Sequence, residues 1–160
     1  MRWGEFEESC PEIAAAARER FERDQLVLVG TLRADGSPRI SPCEVDLAAG
    51  RLFLGMMWRS RKALDALRDP RVVVHSVARD TDGAEGDVKL YGLAADERDP
   101  EVRRAFREAI RARIDWAPEE PDYHCFSLDV REAGYVRFGP DPVALAWDAE
   151  RGLRRLTPPG

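Results

Sequence analysis

LVLVGTLRADGSPRISPCEVDLAAGRLFLGMMW, residues 26–58, carries the pattern of three consecutive β-strands. Three runs rich in apolar and β-branched residues are separated by ADGS (34–37) and AAG (48–50), short glycine-containing stretches of the kind that close hairpins. In the second run Cys43, Val45 and Leu47 alternate with Glu44 and Asp46, the period-two pattern of a strand with one buried face. Strands joined by tight turns pair antiparallel, because parallel pairing needs a long crossover.

The same rhythm continues on both sides of this stretch. Ser60 reads as the N-cap of a helix over 60–69, with Ala63, Leu64 and Leu67 inward and Asp69-Pro70 as its stop. Strands follow at RVVVHSVA (71–78) and DVKLYGLAAD (87–96), separated by the polar loop RDTDGAEG. Upstream, Ser9 offers a cap for an N-terminal helix within 1–24, whose Ile13, Ala14, Ala17 and Phe21 share one face. Downstream, Asp99-Pro100-Glu101 predicts a helix start, and Val102, Phe106, Ala109, Ile110 and Ile114 mark its face over 99–115. YHCFSLDV (123–130), GYVRF (134–138) and VALAWD (143–148) read as strands, and 149–160 as a tail. One domain spanning 1–160 is expected, with 25–148 as an antiparallel barrel carrying peripheral helices.

Composition narrows the functions. The chain has 25 basic and 30 acidic residues and a net charge of -5, so no global basic footprint for nucleic acid or anionic membrane exists. No apolar run approaches the roughly 20 residues of a bilayer span, and a cytoplasmic location is expected. Cys10, Cys43 and Cys125 share no metal-binding or CxxC spacing and read as buried thiols.

Candidate chemistry concentrates at the helix start. Its free N–H groups and dipole favour an anion, and Ser60, Arg61 and Lys62 add a hydroxyl and two cations. Lys62 is one of two lysines in the chain, the other being Lys89. Arg grips two phosphate oxygens while Lys supplies a point charge. Arg39 opens the second strand, shares a face with Ser41, and can approach that start if its strand pairs with 51–58. Lys89 shares a strand face with Tyr91. The two histidines, His75 and His124, lie in strands where packed or edge positions are the ordinary reading. No residue stands out as an acid, base or nucleophile.

Residues 26–77 resemble the flavin-binding split-barrel proteins related to pyridoxamine 5'-phosphate oxidase. The points of likeness are a strand-turn-strand with DGSP in the turn, Arg39 opening the second strand, SRKA at 60–63, and the helix ending DPRV at 69–72. The resemblance implies a mainly β, six-stranded antiparallel Greek-key split barrel with peripheral helices. It also implies a homodimer with cofactor sites at the interface and flavin mononucleotide (FMN) as cofactor. Its phosphate would be held by Arg39, Ser60, Arg61 and Lys62. Ile40, Ser41, Glu44, Leu54 and Gly55 would line the ring, and Lys89 would approach from the matching cofactor-facing strand. A small-molecule substrate, oxidised or reduced through the ring, is the function this implies.

The same barrel hosts deazaflavin (F-420) reductases and non-catalytic flavin- or haem-binding proteins, which stay open as alternatives. Two departures mark limits. Where the true oxidase has an Arg-x-His stretch for its vitamin B6 substrate, this chain has YVRFGPDPVALAWD. Glu44 stands where the oxidase carries a Lys, and an acid beside the ring disfavours a reduced, anionic flavin unless it is neutralised.

Overall fold

The computed structural model describes residues 1–157. Eight strands run in chain order: β1 (Leu26–Leu32), β2 (Pro38–Ala48), β3 (Arg51–Met57), β4 (Arg71–Ser76), β5 (Asp87–Asp96), β6 (Tyr123–Arg137), β7 (Val143–Asp148) and β8 (Gly152–Arg155). The helices are α1 (Trp3–Ser9), α2 (Pro11–Asp24), α3 (Arg61–Arg68) and α4 (Pro100–Ile114). All strand pairs are antiparallel, in the order β3-β2-β1-β4-β5-β6-β7-β8, and β3 also pairs with β6. That last pairing closes β1–β6 into a six-stranded barrel. The β4-β1-β2-β3 arrangement is a Greek key, with α3 in the connection that returns β4 to the side of β1.

Strand β6 makes closure possible. Its first half pairs with β3, Phe53 opposite Ser127 through Met57 opposite Tyr123, and its second half pairs with β7. The two stretches read from the sequence as separate strands, 123–130 and 134–138, are therefore one. A register shift at Tyr91/Gly92 in the β5–β6 ladder lets this long strand bend. The expected tail contributes β8, which pairs with β7.

The barrel interior is filled by inward residues including Val27, Val29, Val45, Leu52, Leu54, Val74, Leu90, Phe126 and Leu128. The expected single N-terminal helix is two: Pro11 has no N–H to continue α1, so Cys10 ends α1 and caps α2, and Ser9 caps nothing. Trp3 and Phe6 of α1 lock against Phe21 and Trp147, with the Phe6 and Trp147 rings edge to face at 5.0 Å. Helix α4 covers the outer side of the β3–β6 seam, seating Phe106 and Ile110 on Phe53, Tyr123 and Cys125. Asp99 caps α4 as expected, accepting from the Glu101 N–H at 2.9 Å. Helix α3 departs from the amphipathic reading. Ala63, Asp65 and Ala66 are buried, whereas Leu64 and Leu67 are exposed.

Two glycines record close packing. A Cβ on Gly55 would lie 2.7 Å from the Phe106 ring, so the seam needs a glycine under α4. A Cβ on Gly92 would lie 2.1 Å from the Asp129 carbonyl oxygen, which is backbone and cannot swing aside. Gly92→Ala should destabilise the protein by roughly 2–4 kcal/mol. Gly134→Ala, whose Cβ would meet nothing closer than the Leu145 carbonyl at 3.8 Å, should cost less than about 1 kcal/mol. Urea unfolding of the two variants against wild type checks the contrast.

Candidate functional site

The start of α3 is built from three directions. The chain leaves β3 through a turn at 57–60, closed by the Ser60 N–H donating to the Met57 carbonyl at 3.0 Å, with Arg59 left-handed at φ 54°. Ser60 is the N-cap, yet its side chain does not cap the helix, and its buried Oγ has no hydrogen-bond partner. The first N–H groups of α3 therefore lack a side-chain acceptor, the condition in which a helix start receives an anion.

One turn into α3, Asp65 is buried and gathers three donors from three elements. It accepts from Arg39 Nε of β2 at 2.6 Å, Thr31 Oγ1 of β1 at 3.1 Å and Arg68 at 3.2 Å. Burial alone would raise the Asp65 carboxyl, but hydrogen bonds from Arg39, Arg68 and Thr31 outweigh it and hold it below the usual range. Arg39 is thus fixed through Nε, leaving its terminal nitrogens free. Arg39 and Arg61 line one pocket of about 340 Å³ together with Arg33, Arg68, Leu64 and Asp65. Among the described residues Arg61 has no carboxylate partner.

Lys62 turns the other way. Its Nζ donates to the Pro42 carbonyl, and it borders a cleft of about 410 Å³ that also meets Leu26, Glu44, Gly55, Met57 and Trp116. Met57 is 77% exposed and Trp116 58%, so the cleft presents apolar surface to solvent. Glu44 is not alone there: Arg113 of α4 lies 3.5 Å from it and 2.8 Å from Asp46.

The remaining candidates divide by strand face. Ile40 points outward and is 73% exposed, Ser41 is half-buried on the opposite face, and Leu54 is fully buried inside the barrel, leaving only its backbone for a ligand. Lys89 lies on β5, bound to Asp87 at 2.7 Å and opposite His75 in the ladder. It does not border this chain's cleft. His75 Nε2 is 3.5 Å from Asp87. His124 packs under the 57–60 turn and accepts the Arg59 N–H at 3.2 Å. All three thiols are buried, and burial raises Cys43 to about 11 and Cys125 to about 12, so neither is a thiolate near neutrality. No local sequence signal marks Asp65 for its role as the shared acceptor of Arg39, Thr31 and Arg68. Its spacing to Arg68 resembles an ordinary surface pair.

The pyridoxamine 5'-phosphate oxidase family model matches residues 13–137. The chain belongs to this family. Solved structures share the fold of this family member at low identity. An FMN-binding protein related to pyridoxamine 5'-phosphate oxidase, from Nostoc punctiforme, superposes with a TM-score of 0.71 at 13% identity, covering 93% of this chain and 96% of that one. PhzG from Burkholderia lata, in complex with tetrahydrophenazine-1-carboxylic acid, gives 0.66 at 16% identity over 91% and 88%. A heme-binding protein from Mycobacterium smegmatis gives 0.66 at 21% identity, covering 84% of this chain but 57% of its own. No curated protein sequence matches significantly. In this family member, removing Asp65 would leave Arg39, Arg68 and the buried Thr31 hydroxyl without their shared acceptor.

Asp65→Ala should therefore cost about 1–3 kcal/mol at pH 7, since Arg39 and Arg68 keep part of their side chains in solvent. Because the folded carboxyl is held low, its contribution is complete above the ordinary value near pH 4 and is lost as pH falls through the depressed one. Urea unfolding in a series from pH 7 downward should show the gap between the wild type and Asp65→Ala narrowing only below about pH 4.

Proposed function

We propose that this protein is an FMN-dependent oxidoreductase acting on a small molecule. The observation that carries the reading is the start of α3: uncapped N–H groups, a buried Ser60 hydroxyl without a partner, and Arg61 without a carboxylate. A phosphate monoester carries close to two negative charges at neutral pH and offers three strong acceptor oxygens. It would satisfy Ser60, engage Arg61 and the free nitrogens of Arg39, and bring Lys62 to its side facing the cleft. These residues fit the group.

The cleft supports the rest. Pro42, Met57 and Trp116 offer apolar surface for a flat ring, with Gly55 and the Phe106 ring forming its floor. Arg113 beside Glu44 offsets the negative charge that would otherwise oppose reduction of a ring placed there. The flavin ring, when bound, supplies hydride or electron transfer. The chain's residues bind and orient it and exclude water, which fits a site lacking an obvious acid or base.

A homodimer belongs to the same reading. The outer face of β2-β1-β4-β5 carries Leu26, Leu28, Ile40 and Tyr91, each more than a third exposed. Docking a second copy on this face would bury them and set Lys89 against the partner instead of its own cleft. Among the described residues no helix is long and apolar enough to cross a membrane.

The purified protein should bind FMN with the absorbance of a bound flavin, and FMN should raise its thermal midpoint. Arg61→Ala with Lys62→Ala should weaken FMN by roughly 100-fold, the scale of two charge-assisted hydrogen bonds. Riboflavin, which lacks the phosphate, should lose less than about threefold. Equal losses for both ligands exclude the phosphate role. Stabilisation by F-420 or a Soret band on adding haem, with no response to FMN, reassigns the cofactor.

A further inference from the structure

The turn that delivers Ser60 and Arg61 has an awkward backbone. Arg59 is left-handed at φ 54°, a region disfavoured for a residue with a Cβ. In a turn whose Ser60 N–H is committed to the Met57 carbonyl, the Arg59 N–H has no partner within the turn. His124 supplies one: its Nε2 accepts that N–H at 3.2 Å. The imidazole is 8% exposed and clamped from both sides, stacked on Trp58 at 4.6 Å with 13° between planes and facing Phe126 at 6.0 Å. Opposite His124 in the ladder is Met56, so the ring rises from the same β3–β6 seam that closes the barrel.

We propose that His124 is a positioning residue which, by accepting the Arg59 N–H, holds the left-handed turn and so aims the Ser60–Lys62 anion site at its ligand. This rests on the phosphate reading above. Only the neutral ring, with its proton on Nδ1, can accept; a protonated ring would set an N–H against an N–H. The titratable and charged groups facing it are Asp96 of β5, Arg103 of α4, Arg98, Glu120 and the neutral Tyr123 hydroxyl, with Arg103 paired to Glu120 at 2.7 Å. Burial and Arg103 oppose a charge on His124 more than Asp96 favours it, which keeps the ring neutral near pH 7. Because its folded value is lowered, the latch is intact at and above the ordinary histidine value and is released only as pH falls through the lowered one.

Two measurements separate this claim from the reading on which it rests. In the ligand-free protein, amide hydrogen exchange at pH 7 should show the Arg59 amide roughly tenfold less protected in His124→Phe than in wild type. His124→Gln, whose side-chain oxygen can accept without titrating, should restore protection. In binding, His124→Phe should weaken FMN by roughly tenfold while riboflavin changes less than about twofold, and His124→Gln should recover most of the loss. As pH is lowered from 7 through the depressed His124 value, the wild type should lose FMN affinity faster than His124→Gln. An Arg59 amide equally exposed in wild type and His124→Phe overturns the latch. Equal losses for FMN and riboflavin overturn its role in aiming the anion site. A wild type that binds no FMN but shows the exchange contrast defeats the phosphate reading and leaves the latch standing.

Discussion

The site depends on one buried carboxylate. Asp65 sits on α3 where amphipathicity predicts a leucine-rich face, and it draws Arg39, Thr31 and Arg68 onto a single point. A lone buried charge would be costly; with three donors from β1, β2 and α3 itself it becomes a tie between a short helix and the barrel. The consequences run outward from that tie. Leu64 and Leu67 are displaced to solvent, Ala63 and Ala66 provide the close contact, and Arg39 is held by Nε with its fork open. An eight-residue helix would be marginal alone. Here its orientation is set by an ion pair that also aims a guanidinium.

Barrel closure provides the second half of the site. Because β6 pairs with β3 along its first half, α4 can lie over the seam, and Phe106 fills the space that Gly55 leaves. The cleft wall is therefore made of an element that is distant in sequence from the helix start it faces. His124 lies on this same stretch of β6, so the seam that closes the barrel also reaches the turn leading into α3. The positive site and the apolar cleft are adjacent because Arg61 and Lys62 are consecutive and diverge, one toward Arg39 and the other toward Pro42.

Much of this was legible in the sequence because hydrophobic alternation and turn residues are local signals. The runs at 26–32, 38–48 and 51–57 and the capped helix from Pro100 were placed within a residue or so of where they fall. What was not legible depended on partners far along the chain. The continuity of β6 is set by its pairing with β3 and β5, not by its own polar interruption at Arg131 and Glu132. Asp65 became a buried hub only once Arg39 and Thr31 arrived. Leu54, placed by resemblance beside a ring, faces the barrel interior since period-two alternation gives its neighbours Phe53 and Gly55 to α4. Lys89 lies on the outer face, away from the cleft of its own chain.

On the proposed function, the start of α3, with Arg39 held by Asp65, is the phosphate end of a flavin site whose ring lies in the adjoining cleft. A crystal structure of the protein with FMN tests it most directly. Phosphate oxygens are expected within hydrogen-bond distance of the Ser60 hydroxyl, the first N–H groups of α3 and the Arg61 and Arg39 guanidinium groups, with the ring between Pro42 and Trp116. A phosphate bound elsewhere, with Asp65 still holding Arg39 and the helix start facing only solvent, would contradict it.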